Sequence, residues 1–100
     1  NDAASEEELL VEVLLKQGIS LTAKITHEDV SGLSVWNVGE TTVLAYLDEH
    51  TKPNLDQLRE ITSKEPAKFI ILEDAFHGDD ELKTNLAQIC KTSKIELWTV

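Results

Sequence analysis

The sequence feature that most constrains the fold is a short, continuous apolar run, FIIL at residues 69–72, which acidic residues end abruptly. Four consecutive apolar residues of mainly β-branched and aromatic type are typical of a strand that is buried on both faces of a sheet. Asp79, Asp80 and Glu81 then precede apolar residues at helical spacing, and acids in a first turn favour the positive end of a helix dipole. We therefore predict a strand, a loop and a helix. The loop would lie at the carboxyl end of a central strand, where open α/β sheets usually bind ligands.

The second half of the chain alternates strands and helices. Residues 42–47 predict a strand, and a short amphipathic helix follows that begins near Asn54 or Asp56. After the strand at residues 69–72, the pattern predicts a helix over residues 79–92 and a terminal strand over residues 95–100. Strands that alternate with helices in this way are typical of parallel pairing with right-handed crossovers.

The first half predicts one helix and two antiparallel strands. Ser5 and Glu8 have the spacing of a capping box, and Gly18 ends the helix that they begin. Alternation over residues 19–28 predicts a half-buried strand, and residues 33–38 predict the next one. The fold class is therefore α/β. Residues 5–100 would form a single small domain with three helices and a mixed five-stranded sheet, an antiparallel meander plus a parallel βαβαβ half; residues 1–4 would be linker or added residues.

The first helix carries more apolar residues than one stripe can hold. At about 100° per residue, four of them form one face: Leu9, Leu10, Val13 and Leu14. Val11 and Leu15 lie well beyond that face. Two interpretations remain open. The helix is a central core element covered on two sides, or its second face, with Val11 and Leu15, contacts the parent chain or a second subunit.

Charge argues against direct DNA binding, and hydropathy argues against a membrane partner. The chain has 19 acidic residues against nine lysines and arginines, and its formal net charge is −10. Nucleic-acid surfaces need clustered lysine and arginine, and Arg59 is the only arginine here. No apolar run approaches the roughly 18–20 residues that a membrane span requires. We therefore expect a soluble, cytoplasmic protein without a membrane partner.

Motifs for covalent or zinc chemistry are missing from the sequence. Cys90 is the only cysteine, so no internal disulfide is possible, and its place on the apolar stripe of the last helix predicts a buried structural thiol. The three histidines have no metal-binding spacing, and we expect them at the surface.

Acidic residues that follow two of the predicted strands form the one candidate metal site. Asp48 follows the strand at residues 42–47, and Asp74 follows the strand at residues 69–72. If those strands are adjacent and parallel, the carboxylates gather at one edge of the sheet, as in Mg²⁺-dependent phosphoryl-transfer sites. The alternative function is thus a small Mg-dependent phosphoesterase-like or nucleotide-binding domain that uses Asp48 and Asp74. The simpler interpretation is that such acids are loop residues and helix N-caps.

The segment after the central strand also carries a family resemblance. DAF at residues 74–76, LKTN at residues 82–85 and QI at residues 88–89 resemble the C-terminal end of adenine-specific DNA methyltransferases. The similarity is greatest to the modification (Mod) subunits of type III restriction–modification systems, which often finish with a strand like residues 95–100. The resemblance implies a C-terminal domain of a larger transferase that uses S-adenosylmethionine. The absence of methionine agrees with a piece of a longer polypeptide.

The catalytic motifs of that family are missing from these residues. By resemblance they are an Asp-Pro-Pro-Tyr type motif and a Phe-x-Gly-x-Gly cofactor loop. Phe76 and Gly78 begin like the cofactor loop, but Asp80 stands where a second glycine would let the backbone approach a cofactor. We therefore expect no catalytic, cofactor-binding or metal residue in this chain. The implied role is assembly, in which the domain pairs Mod subunits or docks the restriction subunit while other parts of the parent enzyme contact DNA.

Five motif residues are the candidates for a structural or interaction role: Asp74, Phe76, Lys83, Thr84 and Asn85. Phe76 either fills the core or anchors a partner. We expect Asn85 to hydrogen-bond the preceding loop and hold it rigid. Trp36 and Trp98 are core or interface residues, and their spacing does not separate the two.

Overall fold

The computed structural model describes residues 2–19 and 24–100, with side chains described from residue 5 onward. In chain order the elements are α1 (Asp2–Lys16), β1 (Ile25–Val30), β2 (Leu33–Val38), β3 (Val43–Tyr46), α2 (Leu55–Thr62), β4 (Lys68–Ile71), a 3₁₀ helix (Glu73–Phe76), α3 (Asp80–Thr92) and β5 (Glu96–Thr99). None of the helices in these ranges is long and apolar enough to cross a membrane.

The five strands form one mixed sheet in the order β1-β2-β3-β4-β5. The pairs β1–β2 and β2–β3 are antiparallel, whereas β3–β4 and β4–β5 are parallel. The connections explain the directions, because tight turns join antiparallel neighbours and the helices α2 and α3 cross between parallel ones. The predicted α/β fold, with a meander followed by a βαβαβ half, is confirmed.

Helices cover both faces of the sheet. On one face α2 and α3 enclose a core with side chains of β3 and β4, including Tyr46, Phe69 and Ile71. On the other face α1 packs against the sheet, with Ile70 in its cluster. Side chains 69 and 71 therefore point to one face and side chain 70 to the other, as pleating requires. This double burial explains why residues 69–71 of β4 are continuously apolar.

Local hydrogen bonds begin the two crossover helices where the sequence indicates. The side chain of Asn54 accepts from the backbone N–H of Gln57, whose side chain accepts in return from the N–H of Asn54. Asp79 caps α3, since its Oδ1 accepts from the backbone N–H of Leu82 at 3.0 Å. Both caps satisfy donors that have no partner within a helix.

Two boundaries in the first half differ from the prediction. The helix α1 begins at Asp2, so Ser5 lies inside it and is not the N-cap, and residues 2–4 belong to the helix. The strand β1 extends to Val30, where a two-residue turn with positive φ at Ser31 and Gly32 returns the chain to β2. Residues 20–23 of the predicted strand lie outside the described residues. Pairing along the whole of β2 carries β1 to Val30, beyond its predicted end at residue 28.

Candidate functional site

The most exposed apolar side chain of the described residues is on α1. Leu15 is 58% exposed, and no other large hydrophobic residue within residues 5–19 and 24–100 is exposed. Leu10 and Leu14 of the same helix are fully buried. Leu15 lies about 140° around the helix from Leu10, because each residue turns the helix by about 100°. Val11, one turn before Leu15, is half-buried. The interpretation of α1 as a core helix covered on two sides is therefore wrong, since the described residues leave this side open.

Acidic residues surround the open side of α1. We use the name outer face for the six residues that line it: Glu7, Glu8, Val11, Glu12, Leu15 and Lys16. The only lysine among them, Lys16, already pairs with Glu12 at 3.2 Å, and both side chains are more than 60% exposed. The outer face thus presents an apolar centre beside an excess of negative charge.

The opposite side of α1 is fixed to the sheet by polar contacts as well as by packing. The indole N–H of Trp36 donates to Glu6 Oε1 at 3.1 Å, and the imidazole of His27 stacks on the same indole with ring centroids 4.2 Å apart. At the other end of α1, the Lys68 ammonium donates to the side chain of Gln17. The hydrogen bonds from Trp36 and from Lys68 join residues 30 or more positions apart and hold the helix in one orientation. Trp36 is a core residue by its 7% exposure.

The motif residues before and within α3 divide into buried and exposed positions. Phe76 is 1% exposed and belongs to the main core, so it fills the core and does not anchor a partner. Asp74, Thr84 and Asn85 are exposed. Lys83 is half-buried, and its ammonium donates to Glu73 Oε1 at 2.6 Å.

The predicted hydrogen bond from Asn85 to the preceding loop is not formed. Among the described residues, the Asn85 side chain has no hydrogen-bond partner. Asn85 stands about 9 Å along the helix axis from Asp79, given a rise of about 1.5 Å per residue, and its amide is too short to span that distance. Lys83 is nearer to the loop and has a longer side chain. It therefore makes the connection that was expected of Asn85.

The predicted meeting of acids at one sheet edge does not assemble a metal site. The strands β3 and β4 are indeed adjacent and parallel, so the loops with Asp48 and Asp74 share an edge. Asp48 Oδ1, however, accepts from the backbone N–H of His50, and Glu73 pairs with Lys83. Within residues 5–19 and 24–100, no group of three or more histidine, cysteine, aspartate or glutamate side chains could hold a metal ion. Local pairing disperses these carboxylates, and the metal-site alternative loses its geometric support.

Two cross-links join the loops at this edge. The Lys52 ammonium lies 2.7 Å from Asp79 Oδ2, and the imidazole Nε2 of His77 lies 2.9 Å from the backbone oxygen of Glu49. The hydrogen bond from Lys52 and the one from the Leu82 N–H hold the pKa of Asp79 below its ordinary value. His77 itself has φ of 51°, a left-handed conformation that ends the 3₁₀ helix. These two contacts hold together the loops that follow β3 and β4, and sequence spacing does not reveal them.

A shallow cleft of about 160 Å³ lies between the first half of α1 and the carboxyl ends of β3 and β4. Its lining combines leucines with polar and acidic groups: Ser5, Glu6, Leu9, Leu47, Asp48, Glu49, His50 and Leu72. Asp48 contributes to the cleft and Asp74 does not. Sites for drug-sized ligands usually measure about 300–1,000 Å³, so this cleft is small for a cofactor. The sequence did not indicate it, because nothing local shows that the first half of α1 lies at this edge.

Comparison with known proteins gives no assignment. No protein-family model matches this chain, and a search of curated proteins found no match to it. The resemblance to type III Mod subunits therefore rests on the motif residues alone.

Proposed function

We propose that this chain is a non-catalytic assembly domain, which holds another polypeptide against the outer face of α1. The observation that carries the proposal is the 58% exposure of Leu15 on a helix whose opposite side, at Leu10 and Leu14, is completely buried. Isolated exposed leucines are common on protein surfaces. Leu15 differs from them in two ways. Val11 lies one turn earlier on the same side of α1, and the hydrogen bond between Trp36 and Glu6 fixes the opposite side of the helix to the sheet.

The parent protein, in this proposal, is the Mod subunit of a type III restriction–modification system. It would methylate adenine in DNA with S-adenosylmethionine in the cytoplasm, and this domain would pair two Mod subunits or dock the restriction subunit. Two observations support a role without chemistry. Phe76, the aromatic of the family motif, is a core residue. The net charge of −10 agrees with a parent enzyme in which other parts contact DNA.

The position of the motif supports the same interpretation. The residues from Glu73 to Asn85 form the connection from β4 into α3, where they provide a core side chain, a helix cap and an ion pair. A sequence signature can therefore arise from the packing of this connection. The alternative function, a Mg-dependent phosphoesterase-like or nucleotide-binding domain with Asp48 and Asp74, has no comparable support.

Sedimentation velocity tests the proposal. The chain is measured alone over a range of concentrations and then mixed with the purified restriction subunit of its own system. We expect either a concentration-dependent dimer or a mixed complex, and we expect Leu15→Lys to abolish it. The matched control is Ala87→Lys, which adds the same charge at an exposed position of α3. The proposal would be refuted if the chain stayed monomeric and did not bind the restriction subunit. It would also be refuted if Leu15→Lys and Ala87→Lys reduced complex formation equally.

A further inference from the structure

We propose that the partner of the outer face is an amphipathic helix with lysine or arginine beside its apolar residues, and that a polypeptide different from this one supplies it. The inference rests on the docking function proposed above and specifies the partner. It follows from the order of side chains along α1, from the charge of the whole chain and from the rigidity of the helix.

The outer face consists of two adjacent lines of side chains. Val11 and Leu15 are four residues apart and form an apolar line, while Glu8 and Glu12 are four residues apart and form an acidic one. Residues at this spacing lie above one another on a helix surface. Helices pack by placing the side-chain ridges of one into the grooves of the other. A partner helix that covers Val11 and Leu15 therefore brings its flanking positions beside Glu8 and Glu12.

The charge beside the apolar line is not balanced within α1. Glu12 has an ion pair with Lys16, but Glu7 and Glu8 are exposed one turn earlier. An acidic or neutral partner would crowd or bury these carboxylates without compensation, which is unfavourable. Lysine or arginine on the partner would remove that cost and would also accelerate encounter through attraction at a distance.

A second copy of this chain is poorly suited to the same surface. Each copy carries a net charge of −10, so two copies repel each other before contact. In a two-fold interface the same patch serves on both sides, and each outer face would offer one lysine against three glutamates of the other. A polypeptide of opposite charge meets neither difficulty.

The surface is also preformed. The contact between Trp36 and Glu6 and the contact between Lys68 and Gln17 fasten the two ends of α1 to the sheet. A partner helix then has to order little of this chain when it binds, and less binding free energy is lost to ordering.

Peptide binding followed by fluorescence anisotropy tests the inference with the complete chain. The probe is a labelled synthetic helix of leucine and lysine in amphipathic order, and the comparison peptide has glutamate in place of every lysine. We expect the lysine peptide to bind, more weakly as salt increases, and the glutamate peptide not to bind. Leu15→Ser should weaken binding about tenfold because it removes the apolar contact. The pair Glu8→Gln and Glu12→Gln should weaken it severalfold.

A matched variant excludes diffuse attraction between a cationic peptide and an acidic protein. Glu60→Gln with Glu65→Gln removes the same charge from exposed positions in and after α2 and should leave binding unchanged. Equal weakening by both double variants would overturn the inference. Preference for the glutamate peptide, or self-association that Leu15→Ser abolishes, would retain docking and overturn the partner chemistry. If no peptide binds and Leu15→Ser changes neither binding nor sedimentation, both proposals fail.

Discussion

Leu10 and Leu15 are five residues apart on one helix, yet Leu10 is fully buried and 58% of Leu15 is exposed. The two side chains point to nearly opposite sides of α1, because five residues turn a helix by about 140° beyond one full revolution. One leucine therefore contributes to folding, and the other is available for binding.

Replacement of these two leucines should have very different effects on stability. Leu10→Ala removes a fully buried side chain and should lower the free energy of unfolding by about 2–5 kcal/mol. Leu15→Ala should change it by no more than about 0.5 kcal/mol, as surface substitutions do. Urea denaturation measures both values. Equal losses in the two variants would show that α1 is rotated about its axis, with Leu15 buried as well.

The single tyrosine of the chain reports on the main core. Tyr46 is fully buried, and its hydroxyl donates to the backbone oxygen of Thr51 at 2.6 Å. Burial, and then the charges of Asp48 and Glu6, raise the pKa of Tyr46 above its ordinary value of 10.0. Because the folded state favours the protonated form, this contribution to stability is complete below that value and is lost as pH rises above it.

We therefore expect tyrosinate absorbance to appear only as the protein unfolds in alkali. Tyr46→Phe is the control, because it lacks the titrating group and its stability should depend less on pH in that range. Ionisation of the phenol in protein that is still folded by circular dichroism would contradict the prediction.

The single cysteine should be inert in the folded protein. Cys90 is a buried, free thiol, and burial raises its pKa to about 11. The thiolate is the reactive form, and it is scarce at neutral pH when the pKa is high. A chromogenic disulfide reagent should therefore react slowly in native buffer and rapidly in urea. Fast labelling under native conditions would place the thiol near solvent.

Acid should weaken the start of α3. Hydrogen bonds from Lys52 and from the Leu82 N–H lower the pKa of Asp79 below its ordinary value of 3.8. The folded state favours the charged form, so this stabilisation is complete above that value and disappears as pH falls below it. The fall in denaturation midpoint from pH 5 to pH 3 should be smaller in Asp79→Asn, which keeps a cap acceptor but does not titrate. An identical fall in both proteins would assign the acid sensitivity to other carboxylates.

Substitutions of Lys83 and Asn85 should also differ in their effect on the free energy of unfolding. Lys83→Met breaks the ion pair with Glu73. The two side chains are 40% and 50% exposed, so the free energy of unfolding should fall by less than about 1 kcal/mol. Asn85→Ala should have no measurable effect. A double-mutant cycle with Glu73→Gln isolates the energy of the pair. A larger loss for Asn85→Ala than for Lys83→Met would restore the role that the sequence indicated for the asparagine.

Much of the fold was predictable because its signals are local. The continuous apolar run that became β4 predicted burial on both faces, and Asn54 and Asp79 predicted helix starts through hydrogen bonds within a few residues. The alternation of strands with helices predicted parallel pairing, since a crossover helix returns the chain in the same direction. Periodicity also revealed the excess apolar surface of α1, but not which side of the helix stays open.

The order, type and approximate ends of the elements follow from local patterns in the sequence, and so does the acidic character of the chain. Three features depend on contacts between distant segments: Leu15 faces outward, Phe76 is a core residue, and the acids near Asp48 pair separately and form no metal site. The physical reason is the range of the interactions. Caps and periodicity act between neighbours along the chain, whereas contacts such as Trp36 with Glu6 join distant residues and exist only after the sheet has formed.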